Sequence, residues 1–500
     1  MKPPYLNDWA ASLIYSIINN VITAKKLSKD YAGKDVLLNV DLKIGNGRKI
    51  GLVGRNGCGK TTLFKVLTGI EELSSGSMDI QGEVFGYIPQ EFTFPDEMVG
   101  VYLESLLESE FELYRIEMLA DQLKFKNYDP YQLLSTLSEG QKMKVKLIET
   151  LLKDPTVLFI DEPTNHLDID GIIWFENYIK SLPQTVIMIS HDRYFLNNTV
   201  DEIWEIEKHN VIRFVGDYDN YKLEKMKLIE KWDQQYTLFV KRKEQLEKLL
   251  ENVHKIKDGK KRGRAVSSVK KRIEREVTTN SKEKYVSKKI KDLEFDTAVH
   301  PGKLMIRFEN VSKSYGDNLV FENLNFEIRG KEKVWLFGPN GAGKTTIIKL
   351  ITGEEKATEG IIKLGDNMKI GYYSQVQSDL DPEKSVLEEF MNKTGCYIGS
   401  TYGYLKKFLF EREDISKRVK YLSPGERARF AFSIFAYKDY DLLILDEPDN
   451  HLDIETKEVL ERSLNEFSGT ILIVSHDRYF VEEIGIDKVF NLSEGTLTAN

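Results

Sequence analysis

The chain carries one domain twice. GRNGCGKTT, beginning at Gly54, returns as GPNGAGKTT at Gly338, and LSEGQ at Leu137 returns as LSPGE at Leu422. IDEPTNHLDI at Ile160 returns as LDEPDNHLDI at Leu445, and ISHDRYF at Ile189 returns as VSHDRYF at Val474. The offset is 284 residues between Lys60 and Lys344, and 285 between Ser138 and Ser423, Glu162 and Glu447, and His191 and His476. So constant an offset across four landmarks means two copies of one unit with almost nothing inserted, and any fold must be built twice. A chain of 500 residues is in any case too long for one ordinary core.

Each copy reads as alternating strands and helices. Lys49 to Val53 and Val334 to Phe337 are short, mostly apolar runs followed by glycine. Val157 to Ile160, Thr185 to Ile189, Leu442 to Leu445 and Thr470 to Val474 are continuous apolar runs, the pattern of strands buried on both faces. Helical patterns lie between them, so each copy is an α/β layered domain with a largely parallel sheet. Between the copies, Tyr221 to about Val253 has no Pro or Gly and spaces Ile229, Trp232, Tyr236, Phe239, Leu246, Leu249, Leu250 and Val253 as a helix does. Asp258, Gly259 and Gly263 interrupt it, and helical character resumes from about Val266 to Leu293, which predicts a helical hairpin and not a flexible linker. The expected organisation is an N-terminal extension over residues 1–20, a first domain over 21–220, a hairpin over 221–300 and a second domain over 301–500.

The repeated motifs specify a chemistry. Gly54, Gly59, Lys60 and Thr61, and again Gly338, Gly343, Lys344 and Thr345, match the P-loop pattern, with Asn56, Gly57, Thr62, Asn340, Gly341 and Thr346 completing the two loops. Glycines let backbone N–H groups turn inward on phosphates, the lysine reaches the β and γ phosphates, and the threonine hydroxyl ligates Mg2+. Each match follows a predicted strand and opens a helix, the context this motif requires. Asp161 and Asp446 end apolar strands, where an aspartate would hold the Mg2+ shell. Glu162 and Glu447 follow, suited to orienting a water or taking its proton. His191 and His476 stand at equal distance from those glutamates in both copies, which favours a γ-phosphate contact over a purely structural role. Gln90 and Gln375, after GYIP and GYYS, are expected to sense Mg2+ and the attacking water. Tyr31 and Tyr315, ahead of the P-loops, either stack on adenine or are ordinary core or surface tyrosines. These residues together predict an ATPase.

Composition narrows the setting. No stretch approaches the roughly 18 to 20 continuous apolar residues of a spanning helix, and Trp9 to Ile18 lacks the cleavage site of a secretory signal. Two cysteines far apart, Cys58 and Cys396, suggest no disulfide framework, which fits a reducing cytoplasm. Cys58 lies within a phosphate loop, where a small side chain is needed. The net charge of −8 conceals an asymmetry: Tyr221 to His300 holds 23 Lys plus Arg against 13 Asp plus Glu, a net +10, so the remainder carries −18. From Lys255 to Arg272 the hairpin tip holds nine Lys or Arg and one acid, Asp258. A basic prong on an acidic protein is a localised polyanion-binding signal, and structured RNA is the expected ligand.

The set of P-loop, glutamine loop, LSxGx, hydrophobic-DEP, NHLD and SHDR resembles the ATP-binding-cassette superfamily. EPxNHLD in both halves, the tandem arrangement, the intervening hairpin and GDYDNY at Gly216 resemble its F subfamily. That resemblance implies a ribosome-binding factor that contacts rRNA and tRNA through the hairpin, either a general translation factor or one that protects ribosomes from antibiotics. It also implies that LSxGx of one cassette faces the nucleotide of the other. Ser423 and Gly425 would then complete the site of Lys60, Asp161, Glu162 and His191, and Ser138 and Gly140 the site of Lys344, Asp446, Glu447 and His476. A monomer whose two cassettes close on ATP, without membrane insertion, is the expected assembly. The sequence departs from the family pattern at Glu139 and Pro424 within LSxGx, and at Asp449, where threonine is usual and Thr164 stands in the first copy. These departures bear on whether the two sites are equally active. Gln90 to Leu137 and Gln375 to Leu422 are equal in length, so the first cassette carries no additional arm. The ATPase subunit of a membrane exporter is the rival reading, and a DNA-associated ATPase ranks after it, since its hairpin would lie within a cassette.

Overall fold

The short apolar runs that precede glycine become the central strands of two sheets. The computed structural model describes residues 20–80, 82–125, 128–165, 167–255, 257, 259–278, 299–373, 380–450, 452–493 and 495–499. In the first cassette the strands are β1 (Asn20–Tyr31), β2 (Lys34–Gly45), β3 (Lys49–Val53), β4 (Ser75–Asp79), β5 (Phe85–Ile88), β6 (Val157–Asp161), β7 (Thr185–Ile189), β8 (Glu202–Glu207) and β9 (Asn210–Val215). In the second they are β10 (Leu304–Tyr315), β11 (Asn318–Arg329), β12 (Lys333–Phe337), β13 (Glu359–Leu364), β14 (Ile370–Tyr373), β15 (Leu442–Asp446), β16 (Thr470–Val474), β17 (Lys488–Ser493) and β18 (Thr496–Ala499). One six-stranded sheet runs β5-β6-β7-β3-β8-β9 and the other β14-β15-β16-β12-β17-β18. Only the last pair in each is antiparallel. Every residue of β3, β6, β7, β15 and β16 is buried, as their mostly apolar sequences require, and that includes Lys49 of β3 and the terminal Asp161 and Asp446.

Each cassette also has a three-stranded antiparallel sheet, ordered β2-β1-β4 and β11-β10-β13, which the run-based reading did not resolve. The cause is local. Register shifts interrupt the β1–β2 and β10–β11 ladders at several points, so the alternation of apolar and polar residues breaks phase within each strand. The P-loop helix Lys60–Leu67 lies in the core between the two sheets, with Leu63, Phe64, Val66 and Leu67 buried. Phe64 meets Phe159 of β6 edge-on at 5.2 Å. That contact joins the helix that starts at Lys60 to the strand that ends at Asp161, and burial of the Phe64 ring contributes roughly 1.5–3 kcal/mol.

The residues between the cassettes form their own compact unit, 218–289. A helix spans Tyr218–His254, and a second, Gly259–Ile273, packs against it and ends in a π-turn over Glu274–Thr278. The first helix is about 55 Å long at 1.5 Å per residue. The second begins at Gly259, seven residues before the predicted start at Val266, and Gly263 lies within it. An interior glycine costs a helix about 1 kcal/mol, and the surrounding Lys and Arg, good helix formers, keep the run helical despite it. Of the helically spaced apolar residues named above, Leu246 is fully buried and the others are half-buried or, like Leu249, exposed, because a pair of helices encloses little interior. Val269 is the buried residue of the second helix. The N-terminal extension over residues 1–19, the hairpin residues 279–298, and Ile256 and Asp258 of the basic tip lie outside the described residues.

Candidate functional site

The first P-loop is shaped by glycines that no other residue replaces without strain. Gly59 has φ +108°, and a Cβ there would sit 2.7 Å from Val36 Cγ1; Gly343 has φ +103°, with Val320 Cγ1 at the same distance. These residues turn the chain into the helices that begin at Lys60 and Lys344. Lys60 Nζ donates to the carbonyls of Gly54 at 2.7 Å and Arg55 at 3.2 Å. Lys344 Nζ donates to Gly338 at 2.7 Å and Pro339 at 2.9 Å. Both ammonium groups are thereby held across the mouth of their loops.

Around the first loop is a cavity of about 350 Å³. Asn56, Gly57, Gly59, Lys60, Thr61 and Thr62 line it from the P-loop, with Gln90, Asp161, Glu162 and His191 from the same cassette. Ser423 and Gly425 of the other cassette line it too. Ser423 is the N-cap of the helix Pro424–Phe435, and its hydroxyl oxygen accepts from the Glu426 N–H while the Glu426 carboxylate accepts from the Ser423 N–H. Ser138 caps Glu139–Leu151 in the same way with Gln141. Since each serine uses a lone pair here, its O–H proton stays available to donate to an anion. Pro424 occupies the first helical position, where a missing N–H costs nothing, so this departure from the family pattern leaves the helix start intact.

At the ends of β6 and β15, Thr61 Oγ1 lies 3.2 Å from Asp161 Oδ2, and Thr345 Oγ1 lies 3.5 Å from Asp446 Oδ2. Hard oxygen donors of this kind suit Mg2+, and with only one carboxylate and one hydroxyl the cation would draw its remaining ligands from phosphate and water. Among the described residues no group of three or more His, Cys, Asp or Glu could hold a metal by itself. Glu162 and Glu447 adopt left-handed backbone conformations, φ +50° and +48°, rare for glutamate. They are fixed by N–H donation to Ile189 and Val474 at 2.9 and 2.8 Å, the last residues of the neighbouring strands. Burial pushes both carboxyls up to about 7. His191 Nε2 is 3.1 Å from Glu162 Oε1, and burial drives this imidazole well below its ordinary pKa, helped by Lys60 and Lys457. The pair is therefore a neutral imidazole hydrogen-bonded to a carboxyl, and not an ion pair. In the second cassette His476 Nε2 lies 3.7 Å from Glu447 Oε1 and 3.2 Å from Asn340 Oδ1, and burial lowers its pKa to about 4. The two sites thus differ in the reach of histidine to glutamate.

Residues that the motif reading passed over tie each site to the opposite cassette. Asp453, the N-cap of the helix Ile454–Glu466, accepts from the Asn56 N–H at 3.0 Å, and Arg55 Nε donates to Glu455 at 2.6 Å. Asp168, its counterpart 285 positions earlier, bears electrostatically on Lys344 and His476. Gly140 approaches Leu167, beside Asp168. The arginines of SHDR lock the halves. Arg193 is fully buried in a bidentate pair with Glu461 and lies 4.0 Å over the ring of Tyr479. Arg478 pairs with Glu176 at 2.7 Å and lies 5.1 Å over Tyr194. Tyr194 and Tyr479 meet edge-on at 5.6 Å. Arg193, Glu176 and Tyr194 are related to Arg478, Glu461 and Tyr479 by the 285-residue offset, so this part of the interface has an internal two-fold character.

Tyr31 and Tyr315 are 45% and 46% exposed, and their hydroxyls donate to Glu71 and Glu355. Lys29 and Lys313 lie 5.1 and 4.7 Å from their ring centroids. Each ring is thus presented at the surface with a cation on one face. Gly341 has φ +79° in the turn before the helix Lys344–Thr352, Thr346 lies in its first turn, and Gln375 lies outside the described residues. Cys58 is a half-buried free thiol within the first loop.

Two α/β cassettes, with the signature serine of the second lining the P-loop cavity of the first, are the architecture of an ATP-binding-cassette ATPase, and a family model described as ABC transporter matches residues 37–165 and 321–450. ABC transporter F family member 2 of Arabidopsis thaliana is 33% identical over 96% of this chain and 78% of its own length. The energy-dependent translational throttle protein EttA of Escherichia coli is 32% identical over 90% and 88%. The ribosome protection protein VmlR of Bacillus subtilis is 30% identical over 96% and 88%. The archaeal ribosome recycling factor aABCE1, solved with the stalk protein aP1, shares the fold, with a TM-score of 0.63 and 21% identity over 95% of this chain and 89% of that one. The chain belongs to the F family of ABC transporters and, as these cassettes do, binds and hydrolyses ATP. Among the described residues no helix is long and apolar enough to cross a membrane.

Proposed function

We propose that this protein is an ATP-switched factor that acts on the ribosome. The observation that carries the reading is the lining of the first site, where Ser423 and Gly425 share one cavity with Lys60, Asp161, Glu162 and His191. A nucleotide held there touches both cassettes, so its triphosphate favours their closed arrangement and hydrolysis releases it. In each site the P-loop lysine binds β and γ phosphates, and Thr61 with Asp161, or Thr345 with Asp446, holds Mg2+, assisted by Gln90 or Gln375. Mg2+ supplies charge neutralisation across the phosphates. Glu162 and Glu447 orient the attacking water or take its proton, and His191 and His476, kept neutral by burial, hold those carboxyls and the γ-phosphate edge in place. Tyr31 and Tyr315 offer adenine an exposed ring face. The domain division is 21–220, 221–300 and 301–500, on a monomer.

The names of EttA and VmlR support a ribosomal partner over the exporter reading. The basic tip from Lys255 to Arg272 supports rRNA and tRNA as what the hairpin touches, because each phosphate it neutralises releases counterions. A cytoplasmic site of action follows from that partner. General translation and antibiotic protection are the two forms of this function, and a drug-susceptibility panel in a sensitive host separates them. The test of the shared reading is sedimentation: Glu162→Gln with Glu447→Gln retains ATP and should co-sediment with ribosomes when ATP is present. A double variant that stays at the top of the gradient with ATP contradicts the proposal.

A further inference from the structure

The two cassettes are copies, yet their walls differ at one buried point. Lys457 is 5% exposed, and its ammonium lies 2.8 Å from Asp477 Oδ2 and 3.8 Å from Asp449 Oδ2. Ser475 Oγ donates to the other Asp449 oxygen at 2.7 Å. At the 285-residue offset the first cassette has Thr164 for Asp449 and the buried Ile172 for Lys457, while Asp192 and Ser190 match Asp477 and Ser475. The second copy has thus gained one acid and one base together. Without Lys457, Asp449 would lie buried beside Asp477 with no ammonium between them, at a cost of several kcal/mol, so the acid at 449 depends on the base at 457.

The location of the pair gives it a consequence. Asp449 and Lys457 line the cavity of the first site, along with Lys60, Glu162 and His191, although they belong to the second cassette. Lys457 is felt by both Glu162 and His191, whereas the charge of Asp449 is felt by Glu447 of the other site. We propose, building on the composite-site reading, that Lys457 makes the two sites unequal: it presents a buried positive charge in trans to the γ-phosphate end of the nucleotide on the first P-loop, and Ile172 offers the second site none. The first site then holds triphosphate more tightly than the second, and its preference for ATP over ADP is the larger. Lys457 acts as a specificity-determining residue, held in register by Asp477 and Asp449.

The experiment reads each site alone in the full chain, with Glu447→Gln silencing the second and Glu162→Gln the first. Asp449→Thr with Lys457→Ile restores the residues the first cassette already uses, and leaves Asp477 in the setting that Asp192 occupies there. In the Glu447→Gln background this pair should raise the KM for ATP about tenfold, the scale of one lost charged hydrogen bond, and change ADP inhibition little. In the Glu162→Gln background KM should stay within about twofold, by the same argument. The converse transplant, Thr164→Asp with Ile172→Lys, should lower KM in the Glu162→Gln background, which keeps the test available if the first variant fails to fold. An equal shift in both backgrounds, no shift in the Glu447→Gln background, or a transplant without effect overturns the proposal. Absence of any ATP turnover in the parent chain would instead sink the composite-site reading on which it rests.

Discussion

Replacing Glu461 with alanine removes the partner of a guanidinium that is completely buried between the cassettes. Arg193 would keep its contact with the Tyr479 ring at 4.0 Å but would lose both of its carboxylate hydrogen bonds. Stranding one member of a buried ion pair costs about 3–5 kcal/mol. The cost falls on the closed arrangement alone, because with the cassettes apart Arg193 is hydrated. At 1.36 kcal/mol per decade, ATP-driven closure should weaken roughly 150- to 5000-fold. Arg478 and Glu176, the pseudo-symmetric pair, are 25% and 8% exposed on their side chains, so water partly replaces the lost partner. Glu176→Ala should accordingly cost about 1.5–3 kcal/mol, the worth of a hydrogen bond to a charged group. Binding of a slowly hydrolysed ATP analogue to each variant, with thermal melting of the nucleotide-free proteins as control, measures both. Binding by Glu461→Ala within twofold of the parent, or equal losses for Glu461→Ala and Glu176→Ala, would refute the burial argument.

Four further outcomes are expected. Gly59→Ala forces a Cβ against Val36 at positive φ, which costs roughly 1–2 kcal/mol of backbone strain; the variant should melt earlier and lose nucleotide at the first P-loop, read by calorimetry. Ser138→Ala and Ser423→Ala each remove a helix cap worth about 1 kcal/mol, so both should lower the melting temperature, and both should also raise the KM for ATP, which a cap lost elsewhere would not do. With Glu162 and Glu447 held up to about 7 and both histidines kept neutral, kcat/KM for ATP should fall as pH drops below about 7, because a protonated carboxyl cannot accept the water's proton; a profile flat down to about pH 5.5 would contradict it. Changing Lys260, Lys261, Arg262 and Arg264 to glutamine should weaken ribosome binding and flatten its dependence on log salt by up to about 0.7–0.9 per charge that meets a phosphate, measured by sedimentation at graded salt.

Phosphate loops were legible in the sequence because their chemistry is local: the spacing of Gly54, Gly59, Lys60 and Thr61 is set by one turn of backbone around one ligand. The strands that end at Asp161 and at Ile189, two residues before His191, were legible because burial on both faces leaves a nearly unbroken apolar run. The antiparallel sheets were not, since bulges in β1 and β10 destroy the alternation that would reveal them. The start of the second hairpin helix was missed because Gly259 and Gly263 read as breakers, although a run of Lys and Arg carries the helix through them. The ties across the interface, Arg193 to Glu461 and Asn56 to Asp453, join residues hundreds of positions apart and have no local signature. The repeat itself held a clue to them. Glu176 and Glu461 recur at the motif offset, and the joint change from Thr164 and Ile172 to Asp449 and Lys457 marks a contact between those two positions.

Reciprocal completion of the two nucleotide sites is most directly tested by measuring ATP turnover with one site silenced and one signature serine blocked. With Glu447→Gln leaving only the first site active, Ser423→Arg should abolish hydrolysis and Ser138→Arg should leave most of it, and with Glu162→Gln the two serines should exchange roles. Loss that instead follows the serine of the same cassette as the active P-loop would contradict the account.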